Sequence, residues 1–352
     1  METHDYKKAA WLALALVLLF VAGWEIYWRN QGFALSFNDD ESLWAHNRKK
    51  IYNTAPGQPV IIGSSRVKFD IDQETWEKET GYKPVQLALV GTSPRPILRD
   101  LANDPKFKGT VLVGITEGLF FSADGSFMED RAAKRLAFYP RWSLSQQVSF
   151  QLNHILESNL IFLDEERFSL NSLLKRLPIE SRPGVFVFPN FPLQMGYTMA
   201  NRQEVFSDAF MADTAVQHGV QYVWSYLGML ETKRGFSGDT LSNIISSVKG
   251  SVDKIRARGG SVTFLRMPSS DPAWSAEKQT HPRELYWDRL LRETGAPGIH
   301  FTDYPELSKY ICPDWSHLSP ADTKPFTKDL IRIIEDKNRV TLRKTSAIPK
   351  IQ

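Results

Sequence analysis

Residues 57–66 read GQPVIIGSSR. Val60 to Ile62 is a short apolar run, rich in β-branched residues, that a glycine ends. Such a run between turn residues predicts a buried strand. The chain then repeats the unit. DQETWEKETG (72–81) reads as a helix stopped by Gly81. PVQLALVG (84–91) is a second strand, SPRPILRDLAND (93–104) a helix with prolines in its first turn, and GTVLVGIT (109–116) a third strand. Strand, helix, strand, helix, strand predicts a parallel sheet covered by helices on both faces.

The rhythm returns late in the chain. SVKGSVDKIRARGG (247–260) is helical, SVTFLRMP (261–268) a fourth strand, and PRELYWDRLLRETG (282–295) a helix with apolar Leu285, Leu290 and Leu291. GIHFTDYP (298–305) is a fifth strand, and SPADTKPFTKDLIRIIEDK (319–337) a closing helix capped by Ser319, with Pro320 at its first position. Residues 122–240 break the pattern. They hold the helical stretches RAAKRLAFY, SLSQQVSFQLNHIL and SLNSLLKRL, then the aromatic, proline-rich 181–203. Strands lie on both sides of this region, so it reads as an insertion packed over or beside the sheet's edge. The expected fold is a three-layer α/β/α domain over 57–340, with a mostly helical insertion at about 122–240 and a frayed tail at 341–352.

The N-terminus carries a separate signal. AAWLALALVLLFVAGWEIYW (9–28) has one charged residue, Glu25, and is long enough to cross a hydrocarbon core, which takes about 20 residues. Trp11, Trp24, Tyr27 and Trp28 lie near its ends, as interfacial rings do. Lys7 and Lys8 precede it, while Asp39, Asp40 and Glu41 follow, which favours the N-terminus inside and the domain outside. The run is long for a cleaved signal, and no good Ala-x-Ala site follows. Residues 1–29 are therefore expected to anchor the chain in a lipid bilayer as a single pass, and 30–56 to lead into the domain. DDESLWAHNRKKIYN (39–53) predicts a short helix there, capped by Asp39 or Asp40.

Bulk properties exclude some classes. A net charge of +3 over 352 residues is no nucleic-acid signature. Cys312 is the only cysteine, so no intrachain disulfide forms, and the thiol is expected to be buried.

In open parallel sheets, ligand-binding and catalytic groups gather at the carboxyl ends of the strands. Ser64, Ser65 and Arg66 follow the first strand, Gly91 and Thr92 the second, and Thr116 and Glu117 the third. Asp314 and His317, in CPDWSHLSP (312–320), come just before the last helix. A serine hydroxyl needs a base to take its proton, and the base needs a partner that fixes its tautomer. Ser65, His317 and Asp314 supply those three roles. The Ser65 and Gly91 N–H groups would serve the oxyanion. Taken singly, each residue has an ordinary reading: Ser65 as a small turn residue, Asp314 as a turn cap, His317 as a surface histidine, Gly91 as a loop glycine. A metal site built on Asp314, His317 and His281 matches no common ligand spacing.

These residues resemble the SGNH, or GDSL-type, hydrolase superfamily, in its membrane-anchored branch, and more distantly the DltD-like proteins of cell-envelope acylation. IIGSSRV (61–67) is similar to the block that carries the nucleophile, with Ser64 in place of its aspartate. LALVGTS (87–93) offers the oxyanion glycine, Gly91, and DWSH (314–317) the Asp-x-x-His block. The resemblance covers about 57–121 and 255–335. The block that usually brings an asparagine to the oxyanion reads VGITEGLFF (113–121), with Thr116 or Glu117 near that place. Either Thr116 or a residue of the insertion would substitute, or the oxyanion hole would be weaker, or Glu117 would point elsewhere, for instance to a pair with Arg66.

The resemblance implies a flavodoxin-like SGNH fold, no cofactor, and a serine esterase or O-acyltransferase. Its substrates would be acyl, above all acetyl, esters of cell-envelope or extracellular glycans. It also implies a bacterial inner-membrane protein with a periplasmic or extracellular domain and a membrane acyl-transfer partner. The alternative is a weak or inactive relative that binds glycan or a partner. The aromatics at 186–197 and 222–226 would stack on sugar, lie against lipid, or fill the core.

Overall fold

The structure, a computed structural model, describes residues 3–177, 189–230, 236–338 and 342. The 341–352 tail, apart from Leu342, and Phe186 and Phe188 lie outside the described residues. Among the described residues, five parallel strands make the central sheet: β1 (Pro59–Ile62), β2 (Val85–Gln86), β3 (Thr110–Ile115), β6 (Ser261–Arg266) and β7 (Gly298–His300). Between β3 and β6 a separate antiparallel pair forms, β4 (Gly196–Thr198) and β5 (Glu204–Phe206). The sheet order is β2-β1-β3-β6-β7, so the chain winds outward in both directions and the order reverses between β1 and β3. The crevice at such a reversal, outside the strands' carboxyl ends, is where this architecture holds ligands.

Alternate strand residues feed two cores, as a pleat with period two requires. Val60, Ile62, Val111, Val113 and Phe264 pack on one face against helices Arg95–Asn103 and Gly238–Ala257. Ile61, Leu112, Leu265 and Ile299 pack on the other against Trp76 and helix Pro320–Asn338. Both faces are apolar, which is why these strands read as continuous hydrophobic runs.

Local signals set the element ends. Asp40 caps helix Glu41–Lys50 by accepting from the Leu43 N–H at 2.8 Å. Asp72 caps Gln73–Thr80 in the same way, and Gly81, at φ 81°, ends it. The helix before β6 starts at Gly238, well ahead of the expected 247. The expected helix from Pro282 starts only at Trp287: the Asp288 N–H reaches back to the Arg283 carbonyl in a wider turn, and Leu285 is 54 % exposed.

The β4–β5 pair closes the open edge of β2. Arg202, in the turn between β4 and β5 at φ 66°, donates to the Gln86 and Ala88 carbonyls at 2.8 and 3.0 Å. An uncapped edge carbonyl would invite pairing with another chain. The same guanidinium grips Asp39, and Lys68 donates to Asp39 and Glu204 at 2.7 Å each. Arg202 and Lys68 are wholly buried. Burial alone would raise the Asp39 carboxyl, but Arg202 and Lys68 hold it far below the usual carboxylate range.

Helix Thr3–Asn30 is long and apolar enough to cross a membrane, and among the described residues almost nothing covers its apolar stretch. Its last turns pack on the insertion, where the Glu25 carboxylate accepts from the Ile161 N–H.

Lys68→Met leaves Asp39 and Glu204 short of a buried cation, so a loss of about 3 kcal/mol in urea unfolding is expected. Adding Glu204→Gln should restore part of that loss. A single variant as stable as the parent would show that the cluster does not hold the insertion to the sheet.

Candidate active site

Ser65 opens helix Ser65–Asp70 directly after β1 and Gly63. The turn is tight because two glycines let Val67 press onto the sheet. A Cβ on Gly63 would stand 2.6 Å from Val67 Cγ2 and 3.1 Å from Gly114 Cα, and a Cβ on Gly114 would also strike Val67. Val67 is fully buried in that gap. As the first helical residue, Ser65 has a backbone N–H with no intrahelical acceptor.

The chain returns to this point after β7. Ser65 Oγ lies 2.8 Å from His317 Nε2, and His317 Nδ1 lies 2.7 Å from Asp314 Oδ2. Asp314 Oδ1 accepts the backbone N–H groups of Ser316 and His317, and Oδ2 also accepts Trp224 Nε1–H at 3.2 Å. These donors fill the lone-pair positions of an ionised carboxylate. Burial would raise the Asp314 carboxyl, but His317 and those N–H groups hold it below its ordinary value. An ionised Asp314 accepts only, so the ring proton sits on Nδ1 and the Nε2 lone pair faces the Ser65 hydroxyl.

Trp315, between the two residues, has φ 72°. A non-glycine residue there costs about 1–3 kcal/mol and persists only where its surroundings fix it. Here they do: the Trp315 carbonyl accepts from the Ser270 N–H, its own N–H reaches the Cys312 carbonyl, and Ser270 Oγ holds the Cys312 N–H. Asp70 Oδ1 accepts the Leu318 N–H at 2.9 Å, joining the end of the Ser65 helix to the His317 loop. Burial pushes the Asp70 carboxyl well up, and likewise the Cys312 thiol, which is buried as expected.

Rings frame the imidazole. Phe69, Trp224 and Phe206 have centroids 4.4, 5.9 and 6.1 Å from that of His317. Asp314 and His317 have no solvent exposure and Ser65 keeps 7 %, so the three groups are open to solvent only at Ser65.

Gly91 is exposed at φ 61° and has open space around it. The Leu89 N–H donates to the Gly63 carbonyl, so Gly91 and Ser65 each stand two residues beyond one bond, past the ends of neighbouring strands. Thr92 is buried and bonds its own loop at the Val90 carbonyl. Ser64 Oγ and Thr116 Oγ1 are hydrogen-bonded at 2.7 Å. Glu117 does not pair with Arg66. It binds Arg266 at 2.6 Å, while Arg66 pairs with Glu277 and reaches Ser316 Oγ at 3.2 Å. Glu277 bridges both cations, meeting Arg266 at 2.5 Å. His281 Nδ1 bonds Thr280 Oγ1, and no group of three or more His, Cys, Asp or Glu side chains could hold a metal among the described residues.

No family model matches the chain, and no curated protein matches it.

Sequence reasoning missed Trp224 as a partner of Asp314, and missed the Arg266–Glu277 pair. Trp224 stood in the aromatic stretch 222–226, and nothing local marks which ring turns inward. Glu277 sits in the short helix Ala273–Thr280, where its charge looks like a solvated face.

Burial would raise the Glu277 carboxyl, but Arg66 and Arg266 bring it from 4.5 down to about 2. A depressed carboxylate contributes stability that is complete above its unfolded value and is lost as pH falls toward the folded one. Relative to Glu277→Gln, the parent should therefore be more stable at pH 7, with the gap in melting temperature closing between about pH 5 and pH 2. A gap that stays constant across that range would contradict this assignment.

Proposed function

We propose that the protein is a serine-dependent esterase or O-acyltransferase acting on acyl, above all acetyl, esters of cell-envelope or extracellular glycans. The observation that carries the reading is the unbroken hydrogen-bond chain from Ser65 Oγ through His317 to Asp314. In this reading Ser65 Oγ attacks the ester carbonyl carbon as its proton passes to His317 Nε2. Asp314 balances the imidazolium. The tetrahedral oxyanion is met by the Ser65 and Gly91 N–H groups, with Thr116 beside them. His317 then protonates the leaving alcohol, which gives an acyl-Ser65. Water or a sugar hydroxyl, deprotonated by His317, attacks that ester, and the proton returns to Ser65.

The SGNH resemblance fits the strand order, which among the five sheet strands runs 2-1-3-4-5, as in flavodoxin-like folds. The two departures from the superfamily pattern touch each other. Ser64 stands where the superfamily has an aspartate, and its hydroxyl bonds Thr116, near the place of the missing asparagine. The Glu117 charge, which would oppose an oxyanion, is taken up by Arg266. The site belongs, on this reading, to a single-pass inner-membrane protein whose domain lies in the periplasm or outside the cell, where glycans and an acyl-transfer partner would be met. A second reading, a glycan- or partner-binding module without turnover, is favoured by the ring cover over His317.

A fluorophosphonate probe should label the wild-type protein at Ser65. Ser65→Ala and His317→Ala should lose labelling and lower acyl-ester turnover by about 10⁴-fold or more, with thermal unfolding of the domain retained. A folded wild-type protein that takes no label and cleaves no acetyl ester would favour the binding module.

A further inference from the structure

Helix Leu144–Glu157 turns its apolar side outward. Leu144, Val148, Leu152, Ile155 and Leu156 recur at helical spacing and are 80, 60, 59, 61 and 49 % exposed. The opposite face meets the body, where Phe150 packs on His46 and His154 on Phe37. A second stripe follows at i, i+3, i+4 and i+7: Leu170, Leu173, Leu174 and Leu177 are 71, 43, 49 and 54 % exposed. A helix on a soluble domain keeps such a stripe against the core, and large exposed apolar patches mark an interaction surface.

What covers the stripes is indicated by the segment that joins them, which is fixed to the end of the membrane-length helix. Arg29 donates to the Asn159 carbonyl at 3.0 Å, and the Ile161 N–H donates to the Glu25 carboxylate at 2.9 and 3.1 Å. The Phe168 ring packs at a tilt against Trp28, with centroids 4.6 Å apart. Trp24, Tyr27 and Trp28 form an aromatic group at that end of the helix, the composition of a membrane–water boundary. Both stripes thus flank the point where the helix would leave a bilayer, so lipid is the apolar phase within their reach.

We propose that 144–157 and 170–177 form a lipid-docking surface, lying in the boundary between headgroups and acyl chains of the bilayer that helix Thr3–Asn30 crosses. The proposal rests on that crossing and is independent of the acyl chemistry. It makes the protein's membrane contact two-part: a span, and a surface that orients the domain on the membrane.

The test uses the full-length chain in phosphatidylcholine–phosphatidylglycerol vesicles. Single cysteines are introduced as Leu18→Cys, Leu152→Cys, Leu173→Cys and Lys106→Cys, and each is labelled with an environment-sensitive fluorophore. The parent, whose Cys312 is buried, gives the background. Lys106 is exposed in the loop that leads into β3, at the opposite end of the strands from the candidate site. Quenching by lipids with spin labels in the acyl chain should be strong at 18, and at 152 and 173 several-fold above that at 106. Quenching at 152 and 173 equal to that at 106, with 18 still quenched, overturns the docking surface. Fluorescence at 152 that responds only to the protein-to-lipid ratio assigns the face to a second copy of the chain and equally overturns it. Absence of quenching at 18 removes the span and the proposal with it.

Discussion

The contact between Ser65 Oγ and His317 Nε2 closes 252 positions of chain, and the parallel sheet alone does not make it. β1 and β7 are separated by β3 and β6, so residues after β7 must cross back over the carboxyl edge to reach the helix after β1. Closing so long a loop costs entropy that one hydrogen bond cannot offset. The crossing is instead held at several places: Asp70 on the Leu318 N–H, Ser270 on the Cys312 N–H, and Arg66 on Ser316. With the backbone fixed this way, the imidazole is aimed at the Ser65 hydroxyl by the fold itself. The left-handed Trp315 belongs to the same arrangement, because it lets one carboxylate oxygen of Asp314 take two successive N–H groups.

The parts of the site that could be read from sequence are those whose signal is local. Val60–Ile62, the run around Val111–Ile115 and Val262–Leu265 are apolar over several residues because both faces of the sheet are covered, and the residues just after them fall at its carboxyl edge. Ser65, Thr116 and Glu117 were placed by that rule alone. Asp314 and His317 were legible because base and partner are three residues apart on one loop. The partners of charged groups were not legible. Glu117 and Arg66 invite pairing, since each follows a neighbouring strand, yet Arg266 and Glu277 take them. Such choices depend on side-chain reach within the folded interior. The β4–β5 pair was hidden for a related reason: its strands are three residues each, and the ion pairs of Arg202 and Glu204 that tie it to the rest of the fold reach sequence-distant partners.

Two buried ionic networks border the site, and both join sequence-distant segments. One links Asp39, Lys68, Arg202 and Glu204, the other Arg66, Glu117, Arg266 and Glu277. Taking charges out of water is expensive, and a well-packed apolar set of similar volume is often as stable or more so. Their contribution is therefore better sought in geometry than in stability. Lys68 and Arg66 stand within three residues of Ser65 on one short helix. Each network ties that helix to a different part of the chain, the insertion on one side and the β6 region on the other. A helix of six residues is too short to hold its own orientation, and ion pairs of fixed direction supply what its length does not.

The same network decides how the site relates to the membrane-length helix. Residues 31–40 could have been a loose tether, in which case the domain would sample many orientations. They are bonded instead: the Phe37 N–H donates to the Thr198 carbonyl, Ser36 Oγ accepts the Thr198 N–H, and Asp39 meets Lys68 and Arg202. The path from the end of that helix to the helix carrying Ser65 thus runs through the β4–β5 pair and the part-buried Asp39 carboxylate, with Glu25 and Arg29 pinning the start to residues 159–161. Ser65 held in that way keeps one distance and one attitude relative to the membrane-length helix.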